Sequence, residues 1–131
     1  MGSLVEEKRI YVVVAATVQT SRGNIVQPAG RQIAQACHVV SKLRHGQKPT
    51  NGYLSGFSDG FESITTIVLQ ARDSAELYHI RFLLVKNNTP ITSFFDTNEV
   101  YGPQEVETAV AAFMAPLEAI GTTDYLPLWG K

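Results

Sequence analysis

The chain has 131 residues, 44% apolar and 18% charged, with a net charge of −1 and a pI of about 6.3. That size and balance fit one domain, residues 1–131, with a normal core, and exclude a disordered chain. No overall basic excess marks it for nucleic acid, so such binding would need a local patch. The single cysteine, Cys37, excludes an internal disulfide and a cysteine-based zinc site.

Residues 1–8 are polar and read as a frayed tail. Ile10 to Val18 (IYVVVAATV) is an unbroken apolar, β-branched run. It predicts a strand buried on both faces, at the centre of a sheet covered by helices. Gln19 to Ala29 reads as a loop. A helix then runs from about Gly30 to Arg44. At about 100° per residue, Arg31, Gln35, His38 and Lys42 fall in one polar stripe. Ile33, Ala36, Cys37, Val40 and Leu43 form the opposite, apolar stripe, which predicts a buried, inert Cys37 thiol.

Residues 46–62 form a Gly/aromatic loop, with Gly52-Tyr53, Gly56-Phe57 and Gly60-Phe61 four residues apart. Glycine this dense works against a helix. Ile64 to Gln70 is the second strand. Asp73 starts a second helix, spaced with Glu76 as a capping box, and Leu77, Ile80, Leu83 and Leu84 give it an apolar face. Asn87, Asn88 and Pro90 end it. Ile91 to Asp96 is the third strand and Thr97 to Gln104 a loop. Val106 to Ala115 reads as the fourth strand, with helix as its rival because of four alanines. Pro116 opens a short helix, and DYLPLW makes an edge segment. Alternating strands and helices predict an α/β fold, and the short third-to-fourth connection excludes a parallel crossover there. The expected architecture is three-layer α/β/α with a four-stranded mixed sheet.

Ligands of open α/β sheets collect at the carboxyl ends of strands. Three pieces should meet there: the first strand's exit loop with the helix start at Gly30-Arg31, Asp96 at the end of the third strand, and the loop after it, Thr97 to Tyr101, which includes Asn98. Thr108 joins them if the register of the returning strand allows. A helix N-terminus suits an anion, and Arg31 adds a full charge with a fork of donors. Asp96 would face that charge, either as a structural ion pair or as part of a site. The polar stripe likewise reads as a solvated helix face or as a site wall. No two histidines stand at i, i+4, and there is no Walker A or GxGxxG loop, so no metal or cofactor is called for. No hydrophobic signal region follows the MGSLVEEKR start, and the longest apolar run is too short to span a bilayer. The expected setting is cytoplasmic, off the membrane.

The run from Gly30 to His38, GRQIAQACH, resembles the G-K-I-A-A-Q-C-S-H-A signature of the archaeal/eukaryotic-type peptidyl-tRNA hydrolases. Phe95-Asp96 resembles that family's D-A-G-R-T segment, Thr108 to Pro116 its following strand, and PLEAIGTTDYLPLW its closing helix and apolar end. The resemblance spans about Ile10 to Leu128. It implies a peptidyl-tRNA hydrolase II-like α/β/α fold, cleavage of the ester between a nascent peptide and the ribose of tRNA, and a homodimer. The family's functional Lys falls on Arg31, its Gln on Gln35, its His on His38 and its Asp on Asp96. Its two threonines fall on Val100 and Thr108.

On that resemblance Arg31, His38, Asp96 and Thr108 are catalytic candidates, and Gly30, Gln35, Thr97 and Asn98 substrate contacts. Arg31 keeps the charge of Lys but cannot release its proton. Val100 has no hydroxyl, and Glu99 replaces the Arg of D-A-G-R-T. The alternative is therefore a catalytically inactive domain of the same fold that binds a small anionic ligand, RNA or a protein partner.

Overall fold

The computed structural model describes residues 7–46 and 64–131. The tail reading for residues 1–6 and the Gly/aromatic loop reading for 47–62 lie outside those residues. The elements run β1 (Arg9–Ala15), β2 (Thr17–Thr20), β3 (Gly23–Val26), α1 (Ala29–Gly46), β4 (Thr66–Ala71), α2 (Ser74–Lys86), β5 (Ile91–Asp96), a 3-10 turn (Glu99–Tyr101), β6 (Val106–Met114) and α3 (Pro116–Ala119).

Among the described residues the main sheet has four strands in the order β4-β1-β6-β5. β1 pairs parallel with β4 and antiparallel with β6, and β6 pairs antiparallel with β5. The sheet is mixed, as expected, and β1, β4 and β5 point the same way. Central β1 has no polar alternation because both its faces are covered. Tyr11, Val13 and Ala15 join one core cluster with Leu77, Ile80 and Leu84 of α2. Ile10, Val12 and Val14 join the other with Val39 and Leu43 of α1. One helix thus covers each face, and each fully buried Val, Leu or Ile contributes about 1.5–3 kcal/mol. The alanine-rich run from Val106 is a strand, not a helix. Ala109 and Ala111 meet the α1 layer and Ala112 the α2 layer, so small side chains sit where two helices flank one strand.

Several expectations are corrected. The apolar run does not stay one strand to Val18. It breaks at Ala16 and continues into a separate hairpin of β2 and β3, where a loop was expected. Thr20 Oγ1 closes that turn, accepting from the Arg22 backbone N–H at 3.0 Å and donating to the Gly23 carbonyl at 2.8 Å. The capping box of α2 is not reciprocal. Asp73 Oδ1 accepts from the Glu76 N–H at 2.9 Å, but Glu76 Oε1 accepts from the Arg72 N–H one residue before the cap, at 2.6 Å. Asn88, at φ 59°, ends the helix in the left-handed region, as its Asn-Asn-Thr-Pro end suggests.

The largest correction concerns the facing of α1. Its buried seam is Gln32, Gln35, Val39 and Leu43, an i, i+3, i+7, i+11 spacing. Ile33 is 50% exposed, and the Cys37 thiol is exposed rather than buried. Two glutamines occupy core positions because each has hydrogen-bond partners there, which offsets the cost of burying an amide. Hydropathy therefore places Ala36, Val40 and Leu43 correctly against the core and misplaces Ile33, Cys37 and the two buried glutamines. The chain end behaves as expected for an edge segment. Leu128 bridges Leu69, Gln70 N–H donates to the Pro127 carbonyl at 3.0 Å, and Trp129 N–H to the Val68 carbonyl at 2.9 Å.

Candidate active site

The polar side of α1 runs along edge strand β5. Alternate residues of a strand share a face, so Phe94 and Asp96 both look toward α1. Gln35 and His38, three residues apart on the helix, meet them. The His38 ring stacks on Phe94 with centroids 5.0 Å apart and 26° between planes. Gln35 Nε2 donates to Asp96 Oδ2 at 3.3 Å. Further along, Lys42 Nζ donates to the Ser93 carbonyl at 2.7 Å. That contact occupies a carbonyl on a strand edge, a position proteins commonly guard with lysine. The stripe is neither a free solvated face nor wholly a site: Lys42 belongs to the edge, and Gln35 to the core.

A cleft of about 440 Å³ opens where the start of α1 meets the end of β5. Pro28, Arg31, Ala34, Gln35, His38, Asp96 and Asn98 line it. Five candidates from the sequence thus come together: Arg31, Gln35, His38, Asp96 and Asn98. The others stand elsewhere. Gly30 is exposed in the first turn of α1, and a Cβ there would meet nothing within 4 Å. Thr97, Glu99 and Val100 are exposed and outside the lining. Thr108 is 0% exposed. It lies where the β5–β6 register shifts, opposite Phe94 and Phe95, and its hydroxyl reaches the Phe94 carbonyl at 3.5 Å. Asn98 also caps the 3-10 turn, its Oδ1 accepting from the Val100 N–H at 3.1 Å.

Among the described residues no ion pair joins Arg31 to Asp96. The guanidinium instead sits 5.8 Å from the centre of the Tyr101 ring. Both charges remain available at the cleft. No group of three or more His, Cys, Asp and Glu gathers into a metal-binding cluster among the described residues. No helix among them is long and apolar enough to cross a membrane.

Behind the cleft lining lies a buried group around Gln35 that the sequence did not single out. Gln35 is 1% exposed. Its Nε2 also donates to Gln27 Oε1 at 2.9 Å and to the Tyr101 hydroxyl at 3.0 Å. Tyr101 in turn donates to Gln27 Oε1 at 2.6 Å. Gln27 Nε2 donates to the Ala15 carbonyl at 2.7 Å, fastening the group to the end of β1. The two loops that hold Gln27 and Tyr101 were expected at this site, but neither residue carried a signal of its own. Gly102 is the exception to that silence. At φ 95° its backbone suits glycine, and a Cβ there would run into Ser21 Oγ of the hairpin turn. That close approach holds the loop, and Tyr101 beside it, against β2 and β3.

Burial pushes the Tyr101 phenol above its ordinary value of 10.0. The Gln35 hydrogen bond opposes that rise, the Asp96 carboxylate adds to it, and Arg31 opposes it. A nearby negative charge disfavours phenolate and a positive charge favours it. Asp96→Asn is therefore expected to lower the Tyr101 midpoint and Arg31→Ala to raise it. Carbon-13 NMR of labelled tyrosine measures both, and shifts of the opposite sign would refute this placement of the charges. Because the folded phenol binds its proton more tightly than the unfolded one, its contribution to stability is fully present below pH 10.0. That contribution is lost as pH rises through the folded midpoint.

No protein-family model matches the chain, and no curated protein matches it.

Proposed function

We propose that this cleft hydrolyses an ester between a peptidyl group and the ribose of tRNA, as the resemblance of GRQIAQACH and Asp96 to the peptidyl-tRNA hydrolases implies. One observation carries the reading. Gln35 and Asp96, 61 positions apart, meet in one cleft with Arg31 and His38 at the end of β5. In this mechanism water attacks the ester carbonyl. Asp96 orients that water and accepts its proton. It then returns the proton to the ribose oxygen as the tetrahedral intermediate collapses and the acyl–oxygen bond breaks, which frees the tRNA hydroxyl and the peptide carboxylic acid. Arg31 and the free N–H groups at the start of α1 stabilise the oxyanion or hold a phosphate. Phe94 holds the His38 imidazole at the cleft wall, where it positions the acceptor end or serves as the base in place of Asp96. Thr108, fully buried and outside the cleft lining, has its hydroxyl directed at the Phe94 carbonyl. On this reading the partner is tRNA, and the chain works as a homodimer in the cytoplasm with a peptidyl-tRNA hydrolase II-like fold.

The test is release of free tRNA from an N-blocked aminoacyl-tRNA. Turnover is expected, and Arg31→Ala should lower kcat/KM by about 10²-fold. Arg31→Lys, which restores the residue the family carries, should keep most of the activity. No turnover, or turnover indifferent to Arg31→Ala, would sink the hydrolase reading.

The exposed Glu99 and Val100, in place of an Arg and a Thr, favour the second reading: an inactive domain of this fold that binds a small anionic ligand, RNA or a protein partner. Its signature is binding without turnover. True tRNA binding weakens steeply with salt as counterions are released, so salt-independent binding would point away from nucleic acid.

A further inference from the structure

We infer that Tyr101 and Gln27 are positioning residues: they fix the Gln35 amide, and through it the Asp96 carboxylate, at the cleft. The kinetic part of this inference rests on the hydrolase reading; the geometric part does not.

An Asp at the end of an edge strand has few neighbours to hold it, and here one donor reaches it from α1. Gln35 Nε2 lies 3.3 Å from Asp96 Oδ2. A free glutamine amide samples several rotamers and both orientations of its terminal group. This one cannot. Its Nε2 is gathered by the Tyr101 hydroxyl and Gln27 Oε1, so the N–H side of the amide, not the carbonyl side, lies toward the carboxylate. The two hydrogens of the NH2 serve three acceptors, which makes the trio sensitive to the loss of any one. Gln35 Oε1 is buried with no partner among the described residues. An unpaired buried acceptor is costly, and the amide stays in this orientation because its neighbours hold it there.

Gln27 is a rigid anchor for the trio. Its side chain is tied to the Ala15 carbonyl, its N–H donates to the Ala16 carbonyl at 2.8 Å, and its own carbonyl accepts from Gln32 Nε2 at 2.8 Å. Tyr101 is 0% exposed and belongs to the same apolar cluster as Val13 and Leu77. A phenylalanine would fill the same space, and a buried hydroxyl is unfavourable unless it is paired. Packing therefore explains the ring and leaves the hydroxyl unexplained. Its hydrogen bonds with Gln27 and Gln35 supply the explanation. The same ring lies against the Arg31 guanidinium, so one residue touches the environment of both charges.

The test is Tyr101→Phe, which keeps the ring and removes the hydroxyl. Fluorescence of Trp129, the chain's single tryptophan, reports native packing, because its Nε1 donates to Gln32 Oε1 at 2.9 Å, a contact the substitution leaves alone. In kinetics, kcat is expected to fall about 10-fold with KM changed less than about 2-fold, and the fall should vanish in an Asp96→Asn background. In NMR, the Gln35 side-chain NH2 resonances should shift and exchange faster with solvent. An equal fall in the Asp96→Asn background, or Gln35 resonances that do not move, would overturn the inference. Absence of turnover in the unmodified chain would count against the hydrolase reading alone, and the NMR result then decides this one.

Discussion

Asp96→Asn is expected to lower kcat/KM for peptidyl-tRNA by about 10² to 10⁴-fold, the range that a general base supplies, with unfolding changed by less than about 1 kcal/mol. The small structural effect follows from the setting. Asp96 is half-buried at the last position of β5. Its one side-chain contact among the described hydrogen bonds is the 3.3 Å approach of Gln35 Nε2. Asparagine keeps the shape and can still accept that bond through its oxygen. What it loses is the charge and the ability to take a proton from water. Paired rate and thermal-melt measurements check this. A variant that melts early and loses activity in proportion would make Asp96 a structural residue; full activity would remove it from the mechanism.

The second large effect lies in the core. Leu43→Ala is expected to destabilise the fold by about 2–5 kcal/mol, whereas Ile33→Ala should cost under about 1 kcal/mol. Both residues sit on α1, and both belong to the apolar stripe that hydropathy draws. Leu43 is 1% exposed, in the cluster with Val12, Val39 and Phe113, so its truncation leaves a cavity against central β1. Ile33 is half exposed, lining an apolar hollow with Val68 and Trp129, and its truncation widens a space already open to solvent. Chemical denaturation of the two variants measures the contrast. Equal costs would mean that α1 is rotated from the facing described above.

The sheet was legible because its evidence is local and repeated. A β-branched run without polar alternation marks β1 as a doubly covered centre, and the structure places core clusters on both its faces. ITSFFD is β5 to the residue. The short connection after it marks an antiparallel pair, and β5–β6 is one. The helix ends around Asp73 and Asn88 follow from capping and left-handed preferences that single residues carry. The meeting of Arg31 with Asp96 and Asn98 was also legible in outline, because helix starts and strand ends gather at one edge of an α/β sheet; for Gln35 and His38 the pointer was the family resemblance.

What composition and periodicity could not decide was which polar residues are inside. A hydropathy pattern treats every glutamine as a solvent residue, so it left Gln32 and Gln35 off the buried seam of α1 and put Ile33 and Cys37 on it, while placing Ala36, Val40 and Leu43 correctly. Whether an amide can be buried depends on partners distant in the chain. Gln32 is met by Gln70 and Trp129, and Gln35 by Gln27, Asp96 and Tyr101. Those partners exist only once β1, the hairpin, α1 and the loop before β6 have packed together. Local patterns along the chain are enough for the mixed sheet, its doubly covered central strand and the edge at which a site would form. The place of the glutamines on the inner face of α1 emerges from packing alone, because burial of a hydrogen-bonding group is set by the company it keeps, not by its own polarity.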